Sequence, residues 1–425
     1  MSIKKSILAI LTGLTLNTIV HAAPYTITDL GDLAESSSFG NAINNNGTSI
    51  GTYLGPSNAS QVIDSYGFVF DGSNFIDLGL LANSSTQIEN PIQGINDSGV
   101  VVGYRQEDIS SDNSGVFALR GFTYQNGVFQ SLGVPTDSIE SRALDINNNG
   151  IIVGYAKVAV DPNATPVVFL EKAAIIDPNA ADPFTILGTL RADNTGRSSA
   201  RSINNTGQVV GWSDLEVVDG LFDTHAFFYD PAGSATLEDL GTLGGKESFA
   251  NDINDNGIIV GQATDSNEDT FAFSFQPGVD SSLVNLGTLN SDTPFSVAYD
   301  INSNNQVVGF SVAGRPRQAN QPAPSHAVLY ENGNVIDLNE QIDCPLGWTL
   351  IAAKGINDAG LIVGSGQING ETHAFLLTPD LNGGAAQQCP DITAPGTSDG
   401  GSLDYLLLLL LSVYLINRIK DSIIE

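Results

Sequence analysis

An all-β chain built from repeated four-strand units is what this sequence predicts, and three observations carry that reading. The pattern Ile-Asn, two residues, Gly, three residues, Gly recurs with its Ile at Ile43, Ile95, Ile146, Ile203, Ile253, Ile301 and Ile356. Each repeat holds four short apolar runs separated by turn residues, which read as strands. An orphan strand signal, Tyr25-Thr26-Ile27-Thr28-Asp29-Leu30-Gly31, precedes the first repeat, while the last repeat ends after Leu377 without its fourth run.

A spacing near fifty residues is that of propeller blades and too long for hexapeptide β-helix coils. Within a repeat, the first strand runs into Ile-Asn. The second is an apolar pair before Gly, as in Val101-Val102-Gly103 and Ile259-Val260-Gly261. The third is an apolar and aromatic run such as Gly67-Phe68-Val69-Phe70, and the fourth ends as in Asp77-Leu78-Gly79 or Asp239-Leu240-Gly241. The first Gly of the pattern closes the turn between strands one and two, where positive φ is needed. In the sixth repeat Asn305, the next best residue for that conformation, stands there. The second Gly sits inside an apolar strand and marks a close backbone approach. The orphan strand at Tyr25 completes the last repeat. The expected fold is therefore a seven-bladed β-propeller over residues 24–380, four antiparallel strands per blade, the last blade closed by the N-terminal strand.

Both ends read as addresses. Lys4 and Lys5, the apolar stretch Ile7 to Val20 and the small residues around Ala22 form a secretory signal over residues 1–22. After a polar linker at 381–402 comes the apolar run from Leu403 to Ile416, then Arg418 and Lys420. Fourteen residues reach only about 21 Å at helical rise, a marginal span that implies transient inner-membrane association. The segment 403–420 with Gly400, Gly401 and Ser402 before it resembles the Gly-Gly carboxy-terminal sorting tails of Gram-negative bacteria, which a rhomboid-type protease is thought to cut. A plain one-pass anchor is the alternative.

The strings His225-Ala226-Phe227 and His373-Ala374-Phe375, with His326-Ala327-Val328 one change away, resemble the bacterial extracellular HAF-repeat family. That resemblance implies a secreted protein and carries no agreed activity. Together these features place the chain outside the cell, or on its surface, in a Gram-negative bacterium after Sec-type export.

Composition narrows the partners. The formal charge of -31 and pI near 4.1 exclude nucleic acid and anionic membrane surfaces. With 41% hydrophobic residues the chain is too apolar for a disordered acidic tail. The three histidines of the third strands fall at equivalent positions on different blades, too far apart for a triad, and are read as rings satisfied by neighbouring backbone. Asp145-Ile146-Asn147-Asn148-Asn149-Gly150 and Asp252-Ile253-Asn254-Asp255-Asn256-Gly257 open like calcium loops, but the twelfth positions are Ala156 and Ala263. They are read as Asn-rich turns, with no metal or cofactor required; calcium held by scattered loop carboxylates stays open. Cys344 and Cys389, the only cysteines, are expected to form a disulfide in an oxidising compartment.

The turns between strands one and two are tight, whereas connections between strands two and three are long and dissimilar, so one face is elaborated. Insertions in repeat folds gather where function gathers. Arg105, Arg120, Trp212, Arg315, Arg317 and Trp348 are the candidate binding residues, Arg as anion partners and Trp as stacking or anchoring groups. No catalytic residue is singled out, since no Gly-rich phosphate loop, nucleophile elbow or zincin motif occurs. The leading expectation is a monomeric, non-catalytic binding propeller for an extracellular polysaccharide or protein. A polysaccharide hydrolase or lyase using loop carboxylates, and a structural matrix protein, are the alternatives.

Overall fold

A computed structural model of the chain describes residues 25–31, 37–55, 63–84, 91–109, 117–215, 223–314, 323–342 and 347–380. The fold is all-β apart from a single 3-10 turn at Leu338–Gln341 among the described residues. Five sheets hold four antiparallel strands each. A sixth holds eight, in two halves joined through one parallel pairing of Thr224 with Glu247. Strands pair in sequence order within each unit: Ser38–Ile43, Ser49–Leu54, Ile63–Phe70 and Phe75–Ser84 form the first. The last unit is Trp348–Ile356, Ile362–Ile368 and Glu371–Pro379, and its fourth strand is the N-terminal Tyr25–Asp29, antiparallel with Tyr25 opposite Pro379. The orphan strand thus sits beside the one strand that lacks a partner in sequence.

Apolar side chains from the faces of neighbouring units form the core. The third strands contribute Phe68, Phe122, Phe227, Phe273 and Phe375, all fully buried. Seven apolar clusters each bridge two units. In one, Ile50, Val69 and Leu78 meet Ile92, Val101 and Phe122; in another, Tyr53, Phe68 and Phe70 of the first unit meet Val363, Ala374 and Leu376 of the last. At roughly 25 cal/mol per Å², removing these faces from water is the main stabilising contribution.

Polar side chains fix the register between units. The Asn of each Ile-Asn pair closes its own turn: Asn44 Oδ1 accepts from the N–H groups of Asn46 and Thr48 at 3.1 and 2.9 Å. Its amide also donates to the carbonyl of the equivalent Asn in the next unit. The series runs from Asn44 to Asn96, Asn147, Asn204, Asn254, Asn302 and Asn357, and Asn357 Nδ2 donates to Asn44 O at 3.1 Å. These asparagines are 3–6% exposed, so each amide satisfies groups that water does not reach. At the other end of the first strands, Ser198 Oγ accepts from Ala173 N and donates to Gly188 O of the preceding unit; Ser141, Ser248 and Ser296 do the same.

The two glycines of the repeat behave as the sequence implies. Gly47, Gly99, Gly150, Gly207, Gly257 and Gly360 have φ from +74° to +86°, and Asn305 has φ +63°. The glycine of the second strand lets a first-strand carbonyl close in: a Cβ on Gly211 would collide with Ser199 O, and one on Gly154 with Arg142 O. A Gly211→Ala variant should therefore lose about 1–3 kcal/mol or more, read as a lowered urea midpoint with an unchanged m value. Stability equal to that of the parent would refute the close-approach account.

Candidate functional site

The same close approach creates the site. In all seven first strands a β-bulge falls at one position, where Asn41, Gln93, Leu144, Arg201, Asn251, Tyr299 and Lys354 stand as the extra residue between two paired positions of the ladder. A bulge re-aims a side chain. These seven residues all line one cavity of ≈ 370 Å³. The next residue of each strand lines it too, except in the last unit, which has Gly355 there. Ile43, Ile92, Ile95, Trp212, Phe249 and Gln262 complete the wall.

The residue after the bulge supplies an acidic arc. Asp145 accepts from Ile146 N and Ile203 N at 2.8 and 2.9 Å, and Asp300 accepts from Ile301 N at 2.9 Å and Ile356 N at 2.6 Å. Asp252 accepts from Ile301 N, and Ser202 Oγ lies 2.9 Å from Asp145 and 2.6 Å from Asp252. Each carboxylate therefore crosses from one first strand to a neighbouring one. Burial and the neighbouring Asp252 charge push Asp145 up to about 6. Burial, then Asp252, raises Asp300 well above the ordinary carboxylate range.

Cations share the cavity. Lys354 Nζ lies 3.2 Å from the centroid of the Tyr299 ring, and burial plus the Arg201 charge push its ammonium down to about 7. Burial also lowers Arg201. Neither forms a hydrogen bond or ion pair with a protein group among the described residues, and Arg201 Nε is a buried donor without an acceptor. Trp212 is 5% exposed, its indole Nε1 likewise without an acceptor, its ring edge-on to Phe249 at 6.1 Å.

Of the binding residues chosen from sequence that lie among the described residues, Trp212 alone lines this cavity. Arg105 is taken up by Glu107 at 3.1 Å and by the Phe129 ring, and Arg120 donates to the carbonyls of Leu119 and Ile139. Trp348 packs edge-on against His373 and Phe375. Arg315, Arg317, Cys344, Cys389, Gly400, Gly401 and Ser402 lie outside the described residues, as do the signal and tail segments. The histidines need a correction. Their partner is a fourth-strand carboxylate, not backbone: His225 Nδ1 lies 2.8 Å from Asp239, His326 Nδ1 2.6 Å from Asp337, and His373 Nδ1 2.9 Å from Asp29. An acidic side chain that also accepts from the following N–H, as Asp239 does from Gly241, can hold an imidazole N–H as well. The strings read as calcium-loop openings form tight turns, and no group of three His, Cys, Asp or Glu among the described residues is placed to hold a metal ion. Sequence reasoning missed Asp300, Arg201 and Lys354, and took Asp145 and Asp252 only as the openings of Asn-rich turns. Their signal was present: stacking the repeats on Ile-Asn shows a column that is polar or charged in six of seven first strands, which holds Arg201 and Lys354, and a following column with Asp or Ser in four, which holds the carboxylates.

The family described as Protein of unknown function (DUF3466) matches residues 82–243 and 241–385. No curated protein matches the chain. Among solved structures, the chain is similar to the β-propeller domain of the Trilobed protease from Pyrococcus furiosus, at 8% identity and TM-score 0.48, over 84% of this chain and 100% of that one. It is similar to TolB from Acinetobacter baumannii at 10% identity and TM-score 0.38, over 82% of this chain and 65% of that one. A polysaccharide lyase, PL25 ulvan lyase, is similar at 12% identity and TM-score 0.44, over 82% and 95%.

Folding protonates Asp145 relative to the unfolded chain, so its contribution to stability is present below about pH 4 and lost as pH rises through about 6. Asp145→Asn, which cannot ionise, should gain on the parent by on the order of 2 kcal/mol between about pH 4.5 and 7.5. Urea unfolding at both pH values measures this; parallel stability curves would show that Asp145 titrates normally.

Proposed function

We propose a binding function for this chain, which belongs to the DUF3466 family: a non-catalytic, seven-bladed propeller, closed by its N-terminal strand, that is exported and holds an extracellular polysaccharide or protein. One observation carries this reading. The first strands of all seven repeats contribute to a single cavity, and the side chains they place there differ from repeat to repeat. Within the first strands, which otherwise repeat, the units differ at that wall, as a recognition surface requires. The pairing of Tyr25–Asp29 with Glu371–Pro379 supports closure by the N-terminus, and the bond from Asn357 to Asn44 supports a ring of seven. The signal-like start and sorting-like tail support export and surface display.

A hydrolase or lyase is the second reading, favoured by a specific feature: a carboxyl group with raised affinity for protons, Asp300, beside Asp252 and within the same cavity as Lys354. A carboxyl group that holds its proton beside an amine that gives one up readily is what general acid–base chemistry uses.

Purified protein mixed with neutral and acidic extracellular polysaccharides and separated by size-exclusion chromatography distinguishes the two. Unshortened polymer co-eluting with protein is the expected result; shortened polymer would move the enzyme reading ahead. Deleting residues 25–31 should lower the single melting transition by several degrees, because Asp29 and Leu30 lock the last unit. An unchanged transition would refute closure by the N-terminal strand.

A further inference from the structure

The polar groups of the cavity are unevenly satisfied. The oxygens of Asp145, Asp252 and Asp300 each receive backbone or serine donors, whereas Arg201, Lys354 and the indole of Trp212 are donors without protein acceptors among the described residues. The cations stand close enough for Arg201 to disfavour the charge on Lys354. The other charged groups acting on Arg201 are Glu171 and Arg142; neither is ion-paired with it, and Arg142 is held by Glu140 at 2.8 Å. Two half-buried cations in one cavity, neither paired with a protein carboxylate, repel each other until an anion joins them. Nothing in the chain at large favours anions, since its net charge is -31. The pair is therefore a local exception.

The rest of the wall restricts which anion fits. A multiply charged group such as phosphate would face three carboxylates in the same cavity. A single carboxylate balances the cations with less repulsion, and the Asp oxygens suit neutral hydroxyl donors nearby. Trp212, Phe249 and Tyr299 offer aromatic surface for an apolar ring face. We propose that the cavity binds an acidic sugar, its carboxylate between Arg201 and Lys354 and its hydroxyls on Asp145, Asp252 and Asp300. This deepens the binding function above and rests on the cavity being its site. The cavity volume of ≈ 370 Å³ falls at the low end of small-ligand sites, so the ligand is a free sugar acid or one uronic unit of a polymer.

Calorimetric titration of the full chain with sodium glucuronate, glucuronic acid methyl ester and glucose, at about pH 6.5 where more of Lys354 is charged, tests it. Glucuronate should bind at least about tenfold more tightly than the ester or glucose, and Arg201→Gln and Lys354→Met should each remove about that advantage. Lys354→Arg should retain binding, and Lys246→Gln, an exposed lysine outside the cavity, should change nothing. If a variant does not fold, the comparison of glucuronate with its uncharged ester on the parent protein decides. Equal affinity for glucuronate and ester overturns the proposal, as does binding indifferent to both substitutions. Polymer that co-elutes equally with parent and both variants would leave the binding function standing and sink this inference. Glucuronate bound through Arg201 and Lys354 without any polymer binding would support it, with free sugar acids as the source.

Discussion

One asparagine amide, used repeatedly, carries two constraints at once. Its oxygen accepts two N–H groups of its own turn, which fixes where the first strand ends and the second begins. Its nitrogen donates to the backbone of the next unit, which fixes how the units stand relative to one another. Both tasks lie where water is excluded, so an unsatisfied group would cost about 1–3 kcal/mol. Aspartate could accept but not donate at this position, and serine is too short to do both. The recurrence of Asn after Ile is thus a requirement of geometry, repeated wherever one unit meets the next.

The bulge and the strand-two glycine are the other inseparable pair. With the turn fixed at Asn, each first strand carries one residue too many for the ladder, and the excess appears at the bulge. The carbonyl that bends in response needs space, which only the glycine provides. What emerges is a side chain freed from packing and turned to the inner cavity. Residues here escape the constraint on the rest of the strand, so they can differ: Leu144 is apolar, Asn41 and Gln93 are amides, Arg201 and Lys354 are cations. The scaffold is made by what repeats, and any specificity by what does not.

The outer edge of each unit is held by lighter means. A third-strand histidine meets a fourth-strand carboxylate in three units. Burial raises Asp239 and Asp337, but the bonds from His225 and His326 and from the following N–H outweigh it and hold both below the usual carboxylate range. Their stabilising contribution is therefore present above about pH 4 and fades only as pH falls further. Asp145 and Asp300 inside titrate in the opposite sense, so they respond differently from Asp239 and Asp337 to the same change of medium.

The sequence by itself determined the strand content, the repeat boundaries, the positive-φ turns and the pairing of Tyr25–Asp29 with the last repeat, because each rests on local chemistry: turn residues, period-two apolar runs and a count of strands. It also exposed the glycine that admits a close contact, though not what approaches. The identity of the site depended on tertiary structure. Arg105 looked like an anion partner until Glu107 and Phe129 proved to occupy it, and Trp348 proved to pack against its own unit. Asp145, Arg201 and Lys354 are more than fifty residues apart; in the sequence Asp145 opens an Asn-rich turn and the two cations are ordinary strand residues, until bulges in different units turn them to one space. Local propensity sets the direction of a chain within a few residues. Which charges meet, which donors lack acceptors and which carboxylates lose water are sums over distant segments, and only the assembled units fix those distances.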